Sequence, residues 1–261
     1  MIIDSHCHLD LLEKKIDLNN VITKAKKFNV EYLHSISTNI EGLKRILEIA
    51  EKYKNIYASV GIHPDEVKEN IISSKKICDL AQHSKVISIG ETGLDYKNQD
   101  ITQKKQFLQK KSFESHIIAS QDSNLPLVIH SRFAEKDSQE ILSHHKKNKN
   151  FSAVMHCFTG SKEFAKFALD QGFFISFSGI ISFKNATQLR EIVKYVPLDR
   201  MLCETDSPYL APEPFRGKIN EPAYCLYVIK SLSKILQETE EKIIKFTSKN
   251  FFSLFPKAFV T

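Results

Sequence analysis

The chain has 261 residues, 42% of them hydrophobic and 26% charged, a balance that argues against global disorder at a size near the roughly 250 residues of a (β/α)8 barrel. The longest strongly apolar stretch, residues 172–183, is far shorter than the roughly 20 residues a helix needs to span a bilayer, so no membrane segment is expected. Thirty-seven Lys and Arg against 31 Asp and Glu leave a net charge of +6, which suits a polyanionic substrate without requiring one.

The opening MIIDSHCHLD places Asp4, His6 and His8 where a signal peptide would carry its apolar run. Cysteines 7, 78, 157, 203 and 225 form no CxxC pair. They read as free thiols in a reducing compartment, so the expected location is cytoplasmic. Short β-prone runs begin near Ile2, Glu31, Ile56, Val86, Leu125, Ala153, Phe173 and Arg200, spaced about 28 residues apart. Segments of helical period lie between them. Ile40, Leu43, Ile46, Leu47, Ala50 and Tyr53 share one face, as do Ala186, Leu189, Ile192, Val193 and Val196.

The runs IYASV, VISI and LPLVI are nearly continuous in apolar character, as strands covered on both faces should be. Eight strand–helix units with no GxGxxG turn point to an α/β TIM (β/α)8 barrel rather than a dinucleotide-binding open sheet. The segment His144 to Lys149 reads as a solvated helix end. From Asn220 onward one or two helices are expected. Leu226, Ile229, Leu232 and Leu236 pattern the first, and the second covers 240–248 with Thr239 as its N-cap. No linker or composition shift interrupts the chain, so residues 1–261 are expected to form a single domain with an extra C-terminal helix.

The chemistry lies in what ends each strand. The first runs into His6 and His8, the third into His63, the fourth into Gly90-Glu91, the fifth into His130, the sixth into His156, and the eighth into Glu204-Thr205-Asp206. Barrel active sites form at the C-terminal ends of strands. Residues two apart on an extended chain point the same way, so His6 and His8 can reach one ion. With Glu91, His130, His156 and Asp206 on the same rim, the donor set suits Mg, Mn or Zn. Six ligands exceed the needs of one tetrahedral ion, and two divalent metal ions bridged by a carboxylate would use them all. Cys7 should face away from its histidine neighbours as a small buried residue, and Cys157 and Cys203 read the same way. Asp4 and Asp10 read as loop groups supporting the ligands. Phe173, Phe174, Phe177 and Phe183 read as barrel and loop packing rather than as a base-stacking platform.

The motifs DSHCHLD, SVGIHPDEV, IGETGLDY, LPLVIHSR, MHCFTGS, FISFSGIISFKNA, ETDSPYLAP and PFRGKINEPAY occur in an order that resembles TatD-family metal-dependent hydrolases, from Ile3 to about Phe255. The resemblance implies an amidohydrolase-type barrel that hydrolyses DNA, including by 3′-to-5′ exonuclease action. It implies that His6, His8 and Asp206 hold one metal, that His130 and His156 hold the second, and that Glu91 bridges them. Phe133 stands between Arg132 and Ala134, where the family commonly has an acid.

The expected chemistry is attack of water on a phosphodiester, with Asp206 as general base and Glu91 as the shared ligand. His63, Arg132 and Arg216 are the expected substrate contacts, the two arginines through forked bonds to phosphate. The expected partner is DNA, single-stranded or at 3′ ends, with no obligate protein partner. The same rim would serve another ester or amide hydrolase, such as a D-aminoacyl-tRNA deacylase. A non-catalytic barrel would not be expected to keep the whole donor set.

Overall fold

A computed structural model describes residues 1–97 and 101–260. Eight strands form one parallel sheet in sequential order: β1 Ile2–Cys7, β2 Val30–Ser35, β3 Ile56–Val60, β4 Val86–Asp95, β5 Leu127–Arg132, β6 Ala153–Met155, β7 Phe174–Phe177 and β8 Met201–Cys203. The barrel closes just beyond β8, where His8 N–H donates to Ser207 O (2.8 Å) and Asp206 N–H to His6 O (2.9 Å). This is the TIM barrel expected from the beat of apolar runs.

Helices cover the outside. Ile40–Lys52 buries Leu43, Ile46, Ile49 and Ala50 against the sheet, and Thr187–Tyr195 buries Leu189, Ile192 and Val193. The long helix Gln103–Ser123 also buries Gln109, Ser112, His116 and Ser120. The second C-terminal helix is longer than expected, running from Glu240 to Leu254, with Thr239 capping it through Lys242 N–H. It feeds a short helix, Lys257–Val260.

This tail closes the N-terminal end of the barrel. Ile3, Tyr57, Ile87, Val128, Val154, Phe174 and Leu202, each at the first or second position of its strand, form an apolar ring. Phe251, Leu254, Phe255 and Ala258 fill that ring. The barrel therefore has a packed floor at this end, and the cavity lies at the other.

The strands do not alternate strictly. β1 slips register against β2 between Asp4 and Cys7. Ser5 faces inward to bond Ser176, yet His6 and His8 also face the site. An extra residue in a ladder resets which face a side chain meets. β4 slips likewise, between Ile89 and Thr92 against β5. It does so at Gly90, where φ is +131° and an added Cβ would lie 2.6 Å from Val128 O. Here β3 also approaches closely, since a Cβ on Gly61 would meet Gly90 Cα at 2.4 Å.

Candidate metal centre

Glu91 lies at the centre of the rim, 2% exposed. Strand β4 does not end at this residue as expected but continues to Asp95. The two carboxylate oxygens of Glu91 face different partners. Oε2 lies 3.4 Å from His6 Nε2 and 3.9 Å from His8 Nε2. Oε1 lies 2.7 Å from His156 Nε2 and 3.0 Å from His130 Nδ1. Asp206 joins the first group, with Oδ1 3.3 Å from His8 Nε2 and 3.6 Å from His6 Nε2. All six residues expected as ligands thus converge on one place.

The outer ring nitrogens decide what the inner ones present. His8 Nδ1–H donates to Ile36 O (3.0 Å), His130 Nε2–H to Asp95 Oδ2 (2.9 Å) and His156 Nδ1–H to Glu204 Oε1 (3.3 Å). Each bond commits the ring proton outward and leaves a lone pair facing inward, as metal-binding imidazoles are held. Inner nitrogens of His6 and His8 are 3.3 Å apart, as are those of His130 and His156. Donors about 2.0–2.1 Å from a tetrahedral ion would be separated by roughly that distance. His6 stacks on His156 at 3.9 Å, which fixes the remaining ring.

Charge fits as well. Burial alone would raise the carboxyls of Glu91 and Asp206, yet the surrounding imidazoles hold both below their usual values. In return, despite burial, Asp206 draws His8 up to about 9, and Glu91 with Glu204 holds His156 well above its ordinary value. Two buried carboxylates require positive charge beside them. Protons on the imidazoles or divalent cations between them satisfy the same requirement.

These residues line a cavity of about 650 Å³, a size typical of small-ligand sites. His63 is in it, with Nε2 3.6 Å from Glu91 Oε1. Its Nδ1 accepts from Asp65 N–H (3.1 Å), so the ring proton is on Nε2, facing the cavity. Burial pushes His63 down to about 4. Arg132 lines the same cavity. Arg216 does not: it lines an adjoining groove, where its guanidinium covers the ring of Phe183 at 4.3 Å.

Other expectations also need correction. Asp4 is not a loop residue. It is buried in β1 and accepts from Thr205 N–H (2.9 Å) and Thr205 Oγ1–H (2.6 Å), tying β1 to the segment that carries Asp206. Cys157 is only partly buried and borders the cavity, 3.2 Å from Ser178 Oγ. Cys7 and Cys203 are buried, as expected. Phe173, Phe174 and Phe177 are core, while Phe183 lies at the groove.

Sequence reasoning missed Asp95 and Glu204 as partners of the histidines, and Tyr209 as a cavity wall. Asp95 had a readable signal, since it lies four residues after Glu91 and an extended strand puts both on one face. Glu204 could have been read as the carboxylate nearest Asp206.

A family model described as TatD related DNase matches residues 3–256. The chain is 39% identical over 259 residues to the uncharacterized metal-dependent hydrolase YabD of Bacillus subtilis (strain 168), covering 98% of this chain and 99% of that protein. It is 38% identical to the uncharacterized metal-dependent hydrolase YcfH of Escherichia coli (strain K12), covering 97% and 95%. The crystal structure of YJJV, a TatD homologue from Escherichia coli K12, superposes with a TM-score of 0.87 at 26% identity over 98% of both chains.

Proposed function

The chain belongs to the TatD-related DNase family of metal-dependent hydrolases, and on that premise we propose that it is a deoxyribonuclease, trimming single strands from the 3′ end with two divalent ions. The observation that carries this reading is the division of Glu91, with one oxygen toward His6 and His8 and the other toward His130 and His156. His6, His8 and Asp206 would hold one ion, His130 and His156 the second, and Glu91 both. Mg, Mn and Zn all accept parts of this donor set. Bound there, divalent ions supply Lewis acidity to the phosphoryl group and lower the pKa of water toward about 7.

The protein groups supply placement and proton transfer. Asp206 stays a carboxylate, held below its usual value by its imidazole neighbours despite burial. It lines the cavity and can take the proton of the attacking water. His63 offers a neutral Nε2–H to a phosphoryl oxygen, and Arg132 offers a planar fork at the cavity wall.

The test is incubation of purified protein with 5′-labelled single-stranded DNA, and separately with D-aminoacyl-tRNA, with Mg²⁺, Mn²⁺ or chelator. The expected result is a metal-dependent ladder shortening from the 3′ end. Deacylated tRNA beside intact DNA would replace the nuclease reading with an ester hydrolase.

A further inference from the structure

The groove holding Arg216 has a volume of about 670 Å³ and adjoins the metal cavity, since Thr159 and Ile180 line both. Arg216 is exposed, and its guanidinium makes no ion pair or hydrogen bond among the described residues. It is nonetheless held in place. Its flat face covers Phe183 at 4.3 Å. Phe183 O accepts from Arg190 Nη1–H (2.8 Å), anchoring the loop beneath. The preceding residue, Phe215, stacks on Tyr224 at 4.0 Å and meets Tyr227 edge-on at 4.8 Å. Buried Asn220 ties the same loop back to Thr205 O (2.8 Å) and Tyr209 O (2.6 Å), beside Asp206.

A guanidinium stacked by its face keeps its N–H edge for a second partner. Its planar fork matches phosphate. Lys162 adds a second cation to the groove, and the one lining carboxylate, Glu191, is paired with Lys194 (2.7 Å). We infer that this groove is a second phosphate subsite, in which Arg216, held flat on Phe183, binds a backbone phosphate of a nucleic-acid strand whose scissile phosphate lies over Glu91. This rests on the nuclease reading for the identity of the strand. It makes the enzyme prefer oligonucleotides over substrates with a single phosphodiester.

The experiment is equilibrium binding of labelled thymidine oligonucleotides of two and eight residues, with Mn²⁺, in an Asp206→Asn background expected to slow turnover at least about 100-fold, with the label checked for cleavage after binding. The octamer should bind more tightly than the dinucleotide. Arg216→Ala should weaken octamer binding about 10-fold or more and reduce its salt slope by about one. Dinucleotide binding should be unchanged. Phe183→Leu should weaken the octamer while leaving the slope intact, because it frees the guanidinium without removing its charge. Octamer binding unaffected by Arg216→Ala, or equal losses on both lengths, overturns the subsite. DNA that binds but is never cut by the unsubstituted enzyme defeats the nuclease reading, while the Arg216 comparison still decides the groove. No binding of either oligonucleotide overturns both.

Discussion

Two atoms of one side chain set the design of the rim. Glu91 can face two imidazole pairs because it stands between them on β4, with Oε2 toward β1 and Oε1 toward β5 and β6. Glu91→Ala should therefore lower metal content at both positions together, read as moles of ion per mole of protein. Loss of only one equivalent would make Glu91 a terminal ligand. Asp206→Asn separates binding from proton transfer. Asparagine keeps a coordinating oxygen but accepts no proton near neutral pH. With saturating metal, kcat should fall at least about 100-fold while DNA affinity changes far less. Near-normal single-turnover cleavage would falsify the general-base role.

His116 is a different kind of residue. It is buried, its Nε2 accepts from Ile62 N–H (3.1 Å) and its Nδ1–H donates to Ser112 O (2.7 Å). It therefore supports the turn that carries His63. Burial pushes it down to about 4 from an ordinary 6.5. The unfolded chain takes up this proton first as pH falls. The stability it contributes is full above about 6.5 and lost as pH falls through about 4, on the order of 3 kcal/mol. Urea denaturation at pH 7 and 4.5 should show this loss, and His116→Gln should flatten the dependence. An identical slope in the variant would assign the acid sensitivity elsewhere.

At the scale of elements, the C-terminal segment is a floor for the barrel. Phe251 and Phe255 meet the apolar ring and also flank His34, at 6.1 and 4.9 Å between ring centroids. His34 in turn bonds Ser88 Oγ (3.0 Å), inside the barrel. Phe255→Ala should cost about 3–5 kcal/mol, the usual loss for a buried Phe, measured by chemical denaturation. A change below about 1 kcal/mol would mean that the ring collapses onto the gap. The register slips in β1 and β4 matter as much. The slip in β1 turns His6 and His8 toward the centre in a strand whose plain alternation from Ile3 and Ser5 would not do so, and the slip in β4 falls at Gly90, beside Glu91.

At the scale of the molecule, the candidate donors come from the ends of five strands far apart in sequence, and an ion bound among them would join them. Any ion that binds only the folded state stabilises it, by about 2.7 kcal/mol at a hundredfold excess over Kd. Saturating Mn²⁺ or Zn²⁺ should therefore raise Tm by several degrees, reversibly with chelator. The double variant His6→Ala, His8→Ala should lose much of that gain but keep its circular dichroism spectrum, because the rim serves function more than stability. An unchanged metal-induced shift would remove these two histidines from the ligand set.

Much of this was legible from residue order. The apolar beat reveals the barrel because each βα unit must bury a strand on both faces, and that requirement is local. His6, His8, Glu91, His130, His156 and Asp206 were readable because polar residues ending apolar runs stand out in a one-dimensional pattern. The buried face of helix Gln103–Ser123 was not, because Gln109, Ser112, His116 and Ser120 are polar. Nor were the roles of Asp95 and Glu204, since a carboxylate's partner is set by which strand ends meet. Arg216 shows the limit most clearly. Its charge and motif are sequence properties, but its separation from the cavity around Glu91 follows from the ring it rests on, 33 residues earlier in the chain. Local pattern determines which side chains face inward. Only closure of the barrel decides which of them face one another.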